Sequence, residues 1–82
     1  MNEPDALRDL LLEFFELPAE TPVDELTQQS ITKWDSLAMV HLITELQSVF
    51  QVEFELDEID TLTNYSDIKI ALVRKGIALQ NL

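Results

Sequence analysis

The sequence contains no cysteine, which excludes disulfide bridges and thiolate-ligated metal sites. Its single glycine excludes every Gly-rich phosphate-cradling loop. Bases are scarce: five Lys and Arg against sixteen Asp and Glu give a formal net charge of −11. Such a chain repels nucleic-acid phosphates and anionic lipid surfaces. No apolar run approaches the roughly 20 residues that span a bilayer. The opening "MNEPDALRDL" is acidic where a secretory leader would be basic and then apolar. The expectation is a cytoplasmic protein with no nucleic-acid and no membrane partner, and the lack of cysteine fits a reducing compartment.

Apolar residues make up 46% of the 82-residue chain, enough for one small core and too many for a disordered segment. One domain is expected over 1–82, compact from about 3 to 77 and ending in a frayed tail at 78–82, and a monomer. A chain this short does not easily add a deep catalytic cleft to its core, so no enzyme is expected.

Residues 3–17 read as a helix. Pro4 suits the first turn, Glu3, Asp5 and Asp9 lie near the positive end of the dipole, and Leu7, Leu10, Leu11 and Phe14 follow helical spacing. Pro18 is the expected stop. Residues 18–34, "PAETPVDELTQQSITKW", form a long connection, with Val23, Leu26, Ile31 and Trp34 as apolar anchors and a helical turn possible over 23–26. Structureless connections of this length are uncommon and are often functional.

A second helix is expected over 36–50, capped by Asp35. Met39, Leu42, Ile43, Leu46, Val49 and Phe50 form its buried stripe. Leu37, Val40 and Thr44 fall on another face, which is either extra core or a docking surface. "QVEFEL" at 51–56 alternates like a strand, but no partner strand is evident. An extended segment burying Val52, Phe54 and Leu56 is expected instead, then a short helix from Asp57 to about Leu62 carrying Ile59. The last helix is expected over 66–75, with Ser66 as cap, Ile68, Ala71 and Leu72 inward, and Gly76 just past its end. The fold class is all-α: a small four-helix bundle, three main helices plus one short one, with a long loop between the first two.

Catalytic constellations fail on geometry. Ser36 and His41 are five residues apart on one helix, about 140° around its axis, and the adjacent Asp35 cannot orient that imidazole as a triad requires. His41 and Glu45 form an i,i+4 pair without a third metal ligand, and "DEID" at 57–60 lacks the spacing and glycine of a calcium loop. No metal site is expected. What remains is Ser36. With Asp35 able to cap, its hydroxyl sits free at a helix start, where unpaired N–H groups and the dipole favour a phosphate ester. The residues do not say which phosphate-linked group that is.

"WDSL" at Trp34–Leu37, the apolar helix closing at Phe50 and the following "VEFEL" resemble the acyl carrier protein family. The likeness runs along nearly the whole chain, from the first helix through the long loop to the closure near Gly76. It implies a non-catalytic carrier whose Ser36 holds a 4′-phosphopantetheine arm from coenzyme A, with Asp35 capping the helix and aiding loading. It implies as partners a phosphopantetheinyl transferase, an acyl- or aminoacyl-loading ligase and a downstream transferase or synthase. Leu37, Val40, His41 and Glu45 on the second helix, with Glu58 and Ile59 on the third, would face them. Ala38, His41, Gln47 and Ser48 stand where carriers of bulk fatty acid synthesis commonly have acids. The acids cluster instead at 53–60, and no Lys or Arg occurs between Trp34 and Ile68. That departure points to a dedicated pathway: polyketide, nonribosomal peptide, or specialised lipid or sugar modification. The alternative is an acidic helical interaction module that meets a basic partner, with Ser36 only a helix-start residue.

Overall fold

The computed structural model describes residues 5–77. Its helices are α1 (Ala6–Phe14), α2 (Ser36–Phe50), α3 (Leu56–Ile59) and α4 (Tyr65–Arg74), with a 3-10 turn at Val23–Glu25 in the first connection. The all-α class, the one short helix and the long loop stand as expected. Among the described residues there is no strand, only one antiparallel bridge between Thr27 and Asn64. Glu3, Pro4 and the tail at 78–82 lie outside the described residues.

The long helices meet on one leucine-rich core. Leu7 and Leu11 of α1, Leu42 and Leu46 of α2, and Ile68 and Leu72 of α4 are fully buried, each pair at the three- or four-residue step of a single helix face. Leu26 and Leu62 close the core from the connections.

Each long helix ends the same way. A residue with positive φ follows the last turn, at Glu16 (57°), Gln51 (58°) and Gly76 (93°). The next amide reaches back five residues: Leu17 to the Leu12 carbonyl (2.8 Å), Val52 to Gln47 (3.3 Å) and Ile77 to Leu72 (3.1 Å). This is the Schellman closure, here made with glycine only once. It corrects the expectation that α1 runs to residue 17 and is stopped by Pro18, since the chain has already turned at Glu16.

The helix starts need two further corrections. Asp5 is the cap of α1, accepting the Arg8 amide at 3.0 Å, rather than a first-turn acid. Asn64, not Ser66, caps α4, accepting the Asp67 amide at 2.8 Å. The short helix also starts one residue earlier than expected and ends at Ile59. Its first turn is closed by Glu58, whose carboxylate accepts the Glu55 amide at 2.7 Å, the returning half of a capping box.

The 18–34 connection is pinned rather than loose. The Arg8 guanidinium donates to the carbonyls of Ala19 (2.6 Å) and Thr21 (2.9 Å). The Gln28 amide donates to Thr63 O and the Tyr65 amide to Leu26 O. Leu26, Ile31 and Trp34 are buried as expected, but Val23 is exposed.

Candidate functional site

Ser36 is the first residue of α2 and is exposed. Capping falls to Asp35, whose carboxylate accepts the Ala38 amide at 2.9 Å and whose carbonyl accepts the Met39 amide at 2.9 Å. That frees the Ser36 hydroxyl from the role serine most often has at a helix start. The first turn of α2 holds no acid, whereas α1 has Asp9 and α4 has Asp67 there. The positive end of a 15-residue helix is therefore opposed by the Asp35 cap alone.

Beside Ser36 opens a groove of about 620 Å³ between α2 and α3, within the roughly 300–1,000 Å³ of small-molecule sites. Met39 and Ile43, both buried, make its floor, with half-buried Ile59 opposite. Val40 and Leu56 stand exposed at its rim. Thr44 also lines it, but its hydroxyl donates to Val40 O of its own helix at 3.1 Å.

The sequence-derived site residues divide into three groups. Ser36, Val40 and Ile59 share the groove. Leu37, 68% exposed, stands next to Ser36, and His41 and Glu45 are exposed along α2 outside the groove. Glu58 is engaged elsewhere: Lys75, the C-cap of α4, contacts it at 2.8 Å, and Lys75 lies over the Phe54 ring at 5.0 Å. The Glu55 amide and then Lys75 hold the Glu58 carboxyl below its ordinary value. Among the described residues no group of three His, Asp or Glu could hold a metal ion, and no helix is long and apolar enough to cross a membrane.

Leu56 was expected inside and is 86% exposed. Counting alternate residues from Val52 predicts it inward, but α3 begins at Leu56 and the turn swings its side chain out. Val49, expected on the buried stripe of α2, is also exposed, while the next residue, Phe50, packs against the core. Sequence reasoning missed Gln28, Asp60 and Thr63 at the groove. They come from connections, and no spacing rule places them beside Ser36. It also missed that the Tyr65 hydroxyl donates to Asp5 across the α1–α4 contact. Burial first, then Asp5, pushes that phenol up.

Set against family models, curated proteins and solved structures, the chain matches none.

Proposed function

We propose that this protein is an acyl carrier, non-catalytic itself, with Ser36 the attachment point of a 4′-phosphopantetheine arm. One observation carries the reading: an exposed serine, released from capping by Asp35, at a helix start whose first turn holds no acid, on the lip of a groove with an apolar floor. The residues present fit the group. The first amides of α2 suit its phosphate, and the groove suits an apolar chain carried beyond it. When bound, the arm supplies a thiol, otherwise absent from a chain without cysteine, that holds an acyl or aminoacyl group as a thioester.

This chain's own part in loading is small and definite. Asp35 holds the first turn and leaves Ser36 exposed at its start. Ser36 Oγ would carry the arm through a phosphodiester, giving up its proton to a base on the transferase, with adenosine bisphosphate as the leaving group from coenzyme A. Leu37 and Val40 give that transferase, the loading ligase and a downstream transferase or synthase an apolar foothold. His41 and Glu45 on α2, with α3, extend the surface they read. A cytoplasmic setting and a dedicated biosynthetic pathway belong to the same reading.

The test is intact-mass spectrometry after incubation with coenzyme A and a broad-specificity phosphopantetheinyl transferase. One phosphopantetheine is expected on the wild type and on Ser66→Ala, and none on Ser36→Ala. An unmodified wild type, or a modified Ser36→Ala, overturns the proposal and leaves an acidic helical interaction module.

A further inference from the structure

The start of α2 is stapled by side chains. Trp34 directly precedes the Asp35 cap, and Met39 is the fourth residue of the helix. An apolar pair at these two places fixes the angle at which a chain enters its helix. Here the pair carries a further bond: the Trp34 indole N–H donates to Met39 Sδ at 3.2 Å, and the contact is buried. Trp34 also stacks on Phe15, the C-cap of α1, with ring centroids 5.0 Å apart at 28°, and both rings are buried. One indole thus joins the first turns of α2 to the end of α1.

Backbone hydrogen bonds do not duplicate that join. Those donated by Trp34 and Asp35 run to Ile31 and Lys33, within the same connection. Ser36 lies between the two ends of the staple and is exposed. An exposed side chain is placed by the backbone beneath it, and here that backbone is a turn capped by Asp35 and stapled by Trp34. A reacting group displaced by about 1 Å can lose about 100-fold in rate. We propose that Trp34, through its bond to Met39 and its stack on Phe15, is a positioning residue for the loading of Ser36. Buried itself, it acts through the α2 start and touches neither coenzyme A nor the transferase. The inference rests on the carrier reading and adds to it the residue that fixes the geometry of the attachment point.

The test is steady-state loading by the transferase, with kcat and KM for the carrier measured separately. Met39→Leu keeps the side-chain volume and removes the sulfur, leaving the buried indole N–H without its acceptor. Trp34→Phe keeps a ring against Phe15 and removes the donor. Each should lower kcat about tenfold and leave KM for the carrier unchanged, because the exposed Leu37 and Val40 are untouched. Combined in one chain the two losses should not multiply, since both break the same contact. In the unloaded protein, amide hydrogen exchange at Ala38 and Met39 should quicken in both variants, which reads the first turn apart from any transferase. Ile68→Val, which thins the buried core on α4, should change neither kcat nor exchange at those two amides. Should Trp34→Phe not fold, Met39→Leu carries the test alone. A wild type that loads, beside folded variants that load with its own kcat, overturns this inference and leaves the carrier reading standing. An equal kcat loss in Ile68→Val also overturns it, since Trp34 would then act only through stability. A wild type that does not load overturns both.

Discussion

Both α2 and α4 begin with a side-chain cap and a serine close behind: Asp35 then Ser36, and Asn64 then Tyr65 and Ser66. Their caps are nearly equal, at 2.9 and 2.8 Å, yet their surroundings are opposite. Around Asn64 the start of α4 is tied by three hydrogen bonds to the first connection and to the cap of α1. The Tyr65 amide donates to Leu26 O, Thr63 O accepts from Gln28, and the Tyr65 hydroxyl donates to Asp5. Around Asp35 the hydrogen bonds are local, from Trp34 to Ile31 O and from Asp35 to Lys33 O, and the anchoring comes from beneath, through Trp34. The α4 start also carries Asp67, which opposes a second anion, while α2 carries no first-turn acid. Two similar helix starts thus differ in what the fold asks of them. One holds the bundle together, and the other is supported from below with its upper side open.

The sharpest break between them is chemical. Ser36→Ala should abolish transferase-dependent mass gain completely, and Ser66→Ala should leave it intact, although both serines are exposed.

Next in size is the core beneath the α4 start. Leu26→Ala should cost about 2–5 kcal/mol in denaturant unfolding, because Leu26 is fully buried. Leu37→Ala beside Ser36 should stay within about 0.5 kcal/mol. Comparable losses at the two sites would mean that the α2 surface is structural.

The caps should be matched. Asp35→Ala and Asn64→Ala should each cost about 1 kcal/mol, but only the first should also slow loading of Ser36. A loading defect in Asn64→Ala of the same size would erase the distinction.

Tyr65→Phe should cost about 1 kcal/mol. Because the folded phenol is pushed up by burial and by Asp5, its stabilisation is fully present below the ordinary value of 10.0. It is lost as pH rises through the folded value. Thermal melts above pH 10 should therefore fall more steeply for the wild type than for Tyr65→Phe.

The smallest effect concerns α3. Glu58, held below its ordinary 4.5 by the Glu55 amide and Lys75, contributes above that value and loses its contribution as pH falls through the folded value. Lys75→Met should flatten the acid limb of the melting curve slightly. Leaving that limb unchanged would show that α3 is not anchored to α4 through this pair.

Much of this molecule was legible beforehand where the deciding interaction is local. The Asp35 cap follows from a carboxylate three residues before the amide it meets. Burial of Leu42, Ile43 and Leu46 follows from their spacing. Where a neighbouring element decides, the reading failed. Val23, Val49 and Leu56 looked like core residues and are exposed, because an apolar pattern does not say whether anything lies on top of it. The α4 boundary was misplaced for a related reason: Ser66 is a good cap in isolation, but Asn64 is held in position by its bridge to Thr27.

The amino-acid order by itself determined the all-α class, the approximate places of the helices, the acidic field and a serine left free at the start of α2, because helix faces and caps depend on residues within one or two turns. Only the tertiary structure decided that Met39 lies between a groove and Trp34, that Tyr65 reaches Asp5 from sixty residues away, and that Leu56 stands at the rim of the site. Those outcomes depend on which surfaces meet once the chain is folded, and no local spacing encodes that.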